Sequence, residues 1–455
     1  MHVTLDRLIQ ILNARPLHVS QEMMTASCAN ITTDTRSLNA NDAFVALRGE
    51  NFDGHQFAAK AIASGAIVAI VDRPVSEPIP QLQVENTLVA YQKLGRWWRD
   101  RFDIPVIAIT GSVGKTTTKE LMAAVLATRG KVLKTKANYN NEIGVPKTLL
   151  ELSAEHDFAV VEMAMRGRGQ IAELTHIARP TIAVITNVGT AHIGLLGSRE
   201  AIAQAKCELL AEMPADSVAV LNADNALLIE TAKTVWDGKT VTFGLESGDL
   251  RGDLLDSETL KVGEQVYPLP LSGKHNALNF LAAIAVADLL DIDRALLQKK
   301  LTVSLPDGRA KRYELPGDLV LLDETYNAGL ESMLAALDLL AQTPGTRKIA
   351  VLGTMKELGD RSLEFHRQVG EKARDLNLDA LFIYADRPEA EAMAAGATGI
   401  PTIEVRECGG EAERQNLASE VQIFLKPGDR LLLKASHSVR LDAVVDRLLA
   451  TLKTA

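Results

Sequence analysis

The run Thr110-Gly111-Ser112-Val113-Gly114-Lys115-Thr116-Thr117 places two glycines, a lysine and hydroxyls where the apolar stretch IPVIAIT (104–110) gives way to a helical pattern over 115–129. Glycines let backbone N–H groups close around a phosphate, and a helix N-terminus adds partial positive charge. Lys115 would reach the outer phosphates, and the Thr116 hydroxyl would ligate magnesium. The full phosphate-loop pattern asks for glycine at 109, where this chain has Ile109. A plain strand-to-helix turn would not need Lys-Thr directly after its second glycine, so the segment reads as a nucleotide site.

A magnesium ion held by phosphates also needs a hard carboxylate. DFAVVE (157–162) ends in Glu162, at the carboxyl end of a buried strand; it either caps that strand in solvent or serves the ion. TIAVITNVGTAHIG (181–194) ends another strand and then presents His192. A lone histidine is commonly a surface or satisfied core residue, but ligands of open α/β sheets gather past strand ends. In the helical pattern 198–212, Ile202, Leu209 and Leu210 flank Lys206, which therefore borders an apolar face. Burial would favour its neutral amine, which can take up carbon dioxide as a carbamate; position alone favours instead a lysine that snorkels to solvent.

These groups need a scaffold. Apolar runs at 104–110, 131–136, 157–163, 181–187 and 217–222 alternate with amphipathic segments, as in a parallel sheet wrapped by helices. The rhythm restarts at 318–324, 347–353, 379–385 and 429–435, a second α/β unit. The Pro-rich run 74–81 marks an earlier border, and Pro, Gly and charge concentrate at 305–318, a hinge near 306–316. The expected architecture is α/β with three domains: a smaller N-terminal α/β substrate domain (1–84), a central phosphate-loop ATPase with a mainly parallel sheet (85–313), and a Rossmann-like C-terminal domain (314–455). A length of 455 residues suits such a division.

With 49 Lys+Arg against 58 Asp+Glu, the chain carries a formal charge of −9 and no basic runs, which argues against general nucleic-acid binding. Three scattered cysteines, Cys28, Cys207 and Cys408, suit a reducing compartment and no disulfide framework. The N-terminus lacks a signal pattern, and Ala61–Val71 is interrupted and too short to cross a bilayer. A cytoplasmic monomer without membrane insertion is the expectation.

The ordered blocks TDTRS (33–37), GSVGKTTTKE (111–120), NNEIGVPKTLL (140–150), EMAMRGRGQIAEL (162–174), ITNVGTAHIG (185–194), AKCELL (205–210), GKHNALNFLAA (273–283), DETYNAGLESM (323–333) and KPGDRLLLKAS (426–436) resemble the ATP-dependent Mur ligases of peptidoglycan synthesis across nearly the whole chain. The likeness is greatest to the branch that joins D-alanyl-D-alanine to UDP-N-acetylmuramoyl-tripeptide. It implies transfer of the ATP γ-phosphate to a substrate carboxylate, then attack of an amine on the acyl phosphate, with release of ADP and phosphate.

Position by position, the resemblance implies that Gly111, Ser112, Val113, Gly114, Lys115, Thr116 and Thr117 hold ATP. Thr116 with Glu162 would take one magnesium ion, and His192 with carbamylated Lys206 a second. Asn276 and Asn279 would lie on the adenine side, with Arg312 and Asp323 reaching the nucleotide from the hinge and the C-terminal domain. Asn276 is also a natural helix cap, and Arg312 an ordinary linker charge. Asp34, Thr35, Arg36 and Asn141 would contact the UDP-muramoyl part, and Asn327 would lie near the dipeptide.

The chain departs from that branch, which commonly reads DSYNANP at 323–329, Gly at Ala164, Glu at Gly194 and VLGDM at 351–355. These changes bear on the amine site. Two other readings stay open: a related ligase adding a single diamino acid or glutamate, and a phosphate-loop nucleotide switch without ligase activity.

Overall fold

The computed structural model describes residues 2–453, in which three large sheets follow one another along the chain, with two small two-stranded sheets beside the first. The opening helix, Leu5–Leu12, begins where the Thr4 hydroxyl accepts the Arg7 N–H at 3.3 Å, and its Leu5, Leu8 and Leu12 are buried. The first sheet has five strands in the order 15–17, 81–83, 68–71, 43–45, 31–32. Its core extends onto the helix Thr87–Arg99 through Ala90, Tyr91 and Leu94, and onto Leu150 of the next unit.

The central sheet has nine strands. Its parallel part is built on β1 (Val106–Thr110), with β2 (Phe158–Glu162) on one side and β3 (Ile182–Ile185) on the other. All three strands are buried throughout, as continuous apolar runs covered on both faces must be. Three further strands between 250 and 268 extend the sheet, the last two by antiparallel pairing, and were not legible as part of the parallel rhythm. Helix α1 (Lys115–Leu126) packs beside α3 (Lys274–Leu289) on one face, and α2 (Arg199–Glu212) covers the other. The flat hydrophobicity of α3 follows from its position, since eleven of its residues are buried all round.

The C-terminal sheet has six strands, ordered 311–315, β4 (Leu319–Asp323), 430–434, β5 (Lys348–Gly353), 380–385, 402–407. All neighbours are parallel except the first pair, a hairpin that aligns Lys311 with Asp323. The expected border at 313/314 thus falls inside a paired strand, and the expected hinge is strand from Lys311 onward. The chain turns before it, at Gly308 and Ala310, both with positive φ. Helices α4 (Leu330–Gln342) and α5 (Ser362–Asp375) cover the face toward the central unit, and one apolar cluster continues from Val161 and Ile193 to Leu330 and Leu358.

Candidate nucleotide and metal site

The parallel register sets Ile109 opposite Glu162 and Thr110 opposite Ile185, so the phosphate loop, Glu162 and the turn bearing His192 all lie at the carboxyl end of the strands. Gly114 has a φ of +83°, which a residue with Cβ adopts at a cost. The loop is clasped by the turn after β3. Asn187 accepts the Val113 N–H on Oδ1 and donates from Nδ2 to the Val113 carbonyl, both at 3.0 Å, while Ser112 Oγ accepts the Gly189 N–H at 2.8 Å. The signal in the sequence that marks Asn187 is a polar residue two positions past a buried strand end.

Lys115 Nζ folds back onto the carbonyls of Gly111 (2.8 Å) and Ser112 (3.3 Å). Burial lowers its pKa, the Glu162 carboxylate opposes that, and the Arg309 guanidinium adds to it. Glu162 is 2% exposed; its Oε1 accepts from Asn140 Nδ2 at 2.7 Å, while Oε2 has no hydrogen-bond partner and lies 3.6 Å from Lys119 Nζ. A buried, half-satisfied carboxylate beside a phosphate loop suits a hard cation. Thr116, at 5% exposure, opens α1 at the same end.

Lys206 is 1% exposed, and among the described residues its amine has no hydrogen-bond or ion-pair partner. Burial, reinforced by the positive charge of Lys115, drives its pKa well below that of a free lysine. His192 sits at a left-handed φ of +67°, which turns its ring off the strand direction. Its pKa is lowered by burial and by Lys115, with Glu357 opposing. Among the described residues, no three His, Cys, Asp or Glu side chains form a metal-holding group. The donors fit magnesium only together with phosphate oxygens, in keeping with an ion that keeps several non-protein ligands.

Asn276 and Asn279 are buried in α3 and already engaged. Asn279 Oδ1 accepts from Thr118 Oγ at 3.1 Å, and Asn276 Nδ2 donates to the Ser272 carbonyl at 2.8 Å. The cap position belongs to Gly273, so Asn276 ties the first turn back instead of capping it. Arg312 is exposed on its strand, 3.5 Å from Glu314. The arginine near the centre is Arg309, whose charge acts on Lys115 and Lys434, whose guanidinium stacks 4.0 Å over the Tyr326 ring, and whose buried Nε is unpaired. The alternation of strand 311–315 turns Arg312 outward, a distinction that composition at the hinge did not reveal.

Asp323 is 4% exposed and accepts Thr325 Oγ at 2.7 Å, which turns it into its own loop; burial raises its pKa. Asn327 is exposed, and its carbonyl accepts from buried Lys434 at 3.0 Å. At the other end, Arg36 grips Asp34 through Nε at 2.9 Å and Nη2 at 2.7 Å and holds its carboxyl near pKa 2. Thr35 lies between them, partly buried. Asp34 senses Lys147, which covers the Tyr139 ring at 4.2 Å, and Asn141 Oδ1 accepts the N–H of Gly144, the first residue of the helix 144–150, at 2.9 Å. The N-terminal loop therefore approaches the start of that helix.

A phosphate loop at the carboxyl end of a central parallel strand, with a second α/β unit packed against the same end, defines a nucleotide-dependent enzyme built from several units. Three family models match in order: the Mur ligase family catalytic domain at 27–96, the Mur ligase middle domain at 109–287, and the Mur ligase glutamate ligase domain at 308–437. The chain is 61% identical over 424 residues to a UDP-N-acetylmuramoyl-tripeptide–D-alanyl-D-alanine ligase of Synechocystis sp., covering 92% of each. It is 35% identical to the enzyme of that name from Escherichia coli, covering 97% of each. Among solved structures, MurF from Acinetobacter baumannii superposes with a TM-score of 0.88 at 32% identity over 99% of each chain. MurF from Thermotoga maritima in complex with ADP gives 0.82 at 30% identity over 94% of this chain and 98% of that one. The chain belongs to the Mur ligase family and is an ATP-dependent ligase. Among the described residues no helix is long and apolar enough to cross a membrane.

Proposed function

We propose that this protein adds D-alanyl-D-alanine to UDP-N-acetylmuramoyl-tripeptide in peptidoglycan precursor synthesis, through an acyl phosphate, with ATP going to ADP and phosphate. The observation that supports the reaction class is the close charge coupling of four side chains around the phosphate loop: half-satisfied Glu162 acts on Lys115, and the Lys115 charge acts on both His192 and buried Lys206. The substrate pair rests on the ligases named above.

In this reading residues 1–84 hold the UDP end, with Asp34, Thr35, Arg36 and Asn141 at its approach. The central unit, from 85 to the turn at Ala310, binds ATP. The remainder receives the amine near Asn327. Lys115 leaves its loop carbonyls for the β- and γ-phosphates, and the α1 amides that lack intrahelical acceptors point at the same oxygens. Thr116 and Glu162 would hold one magnesium ion, and His192 with a carbamate on Lys206 a second. Bound magnesium would supply positive charge between the substrate carboxylate and the triphosphate, which otherwise repel. The Lys206 carbamate forms when the neutral amine attacks carbon dioxide: an N–C bond is made, one C=O π bond opens onto oxygen, and the nitrogen loses a proton. Its burial favours that neutral amine. Asn279 braces Gly114 and Thr118 and so keeps the loop in shape. The expected cytoplasmic, monomeric state belongs to the same reading.

The test is ADP release with UDP-muramoyl tripeptide and a panel of acceptors: D-Ala-D-Ala, meso-diaminopimelate, L-Lys and L-Glu. Turnover with the dipeptide alone is the expected result. Turnover with a single diamino acid and none with the dipeptide would remove the proposal, and slow hydrolysis indifferent to every acceptor would favour a nucleotide switch.

A further inference from the structure

The turn 189–194 carries His192, and two acidic residues of the C-terminal unit are seated on it. Glu331, in the first turn of α4, accepts the Thr190 N–H on Oε1 at 2.7 Å and the Thr190 hydroxyl on Oε2 at 3.0 Å. Glu357, in the loop after β5, accepts the Gly194 N–H on its carbonyl at 3.1 Å. Its carboxylate lies 2.5 Å from His192 Nδ1, outside hydrogen-bond geometry.

The fit is backbone-close. A Cβ on Gly189 would stand 2.6 Å from the Glu331 carboxylate, and one on Gly194 would stand 2.6 Å from the Gly359 nitrogen. The loop that presents Glu357 is pinned from behind. Met355 N–H donates to His366 Nε2 at 2.9 Å, and Lys356 N–H donates to Ser436 Oγ at 3.0 Å. Neither acidic residue emerged as a site residue from the sequence.

We propose that Glu331 and Glu357 are positioning residues that clamp the C-terminal unit onto the 189–194 turn, so that the His192 ring is oriented only while the two units are closed. This rests on the ligase reading and goes beyond it. A carboxylate gripping both donors of one residue is a strong, directional contact when dry. On opening, the carboxylate and Thr190 exchange each other for water, so the net cost of release is small and closure stays reversible. The Glu357 carboxylate beside His192 Nδ1 restricts the ring by close contact and charge, without a hydrogen bond.

The test compares wild type with Glu331→Ala, Glu331→Gln and Thr190→Val, each in the full chain with ADP and magnesium. Closure is read by small-angle X-ray scattering, nucleotide affinity by calorimetry, and the dipeptide KM and kcat by coupled ADP release. Glu331→Ala should raise the radius of gyration and the dipeptide KM, the latter about tenfold from the loss of charge-assisted bonds. Nucleotide affinity and melting temperature should stay near wild type, and Glu331→Gln, which keeps one acceptor oxygen, should fall between. Wild-type scattering and KM in Glu331→Ala would overturn the clamp, as would a loss of activity that only follows a loss of melting temperature. Should Glu331→Ala fail to fold, Thr190→Val reads the same contact from the other side, with unchanged scattering and KM again overturning it. Scattering is read without turnover, so a failed clamp is distinguishable from a wild-type protein that ligates no dipeptide.

Discussion

Replacing Gly114 by alanine strains the phosphate loop in two separable ways. The backbone there has a φ of +83°, and holding an L-residue in that region costs about 1 kcal/mol. The added Cβ would stand 2.6 Å from Asn279 Oδ1. That oxygen cannot retreat freely, because Asn279 is 7% exposed and accepts from the Thr118 hydroxyl at 3.1 Å. Displacing it strands a buried hydroxyl, at about 1–3 kcal/mol. If the free loop relaxes out of its strained shape, the sum of about 3 kcal/mol appears in binding, about a hundredfold in nucleotide Kd. The assay is calorimetric titration of ADP with magnesium into wild type, Gly114→Ala, Asn279→Ala and the double variant. In the Asn279→Ala background the collision is gone and only the backbone strain remains, so Gly114→Ala should then cost about fivefold. Equal losses in both backgrounds would refute the reasoning, as would wild-type affinity in Gly114→Ala.

Lys206→Ala should suppress ligation while leaving nucleotide binding measurable, and added short-chain carboxylates should restore part of the activity; full activity in the variant would eliminate the carbamate. Arg309→Ala should weaken ATP use about tenfold or more through loss of a charge directed at the phosphates, whereas Arg312→Ala, on an exposed side chain, should stay within about twofold in ATP KM. His366 is fully buried, donates from Nδ1 to the Ser362 carbonyl at 2.7 Å and accepts the Met355 N–H on Nε2, and burial lowers its pKa. The unfolded chain takes up that proton first, so stability should fall as pH drops below about 6.5 and keep falling toward the folded pKa. Melting curves of wild type and His366→Gln between pH 8 and 5 check this: the variant should show the shallower decline, and parallel curves would exclude His366 as the source.

Local chemistry made much of the central unit legible. A glycine-rich turn between a buried strand and a helix is written in consecutive residues, so Gly111 to Thr117 could be read without knowing any long-range contact. The buried parallel strands were equally plain, since a strand covered on both faces must be apolar at every position. Lys206 was half legible: helical spacing placed it beside apolar neighbours, but only the packing of α2 against the sheet decided between burial and solvent.

The hinge and the C-terminal unit were less readable because their roles depend on which way a side chain points. Strand alternation turns Arg312 to solvent, and Arg309, three residues earlier, directs its charge at Lys115. Asp323 looks free in the sequence but is occupied by Thr325 in its own turn. Glu331 and Glu357 acquire meaning only when a helix start and a loop from one sheet meet the strand-end turn of another, some 140 residues away for the Glu331 to Thr190 pair. What the chain encodes in neighbouring residues is the phosphate chemistry; which charges face it is decided by how two separately folded sheets come together, because side-chain direction and interdomain distance are properties of packing and of no single segment.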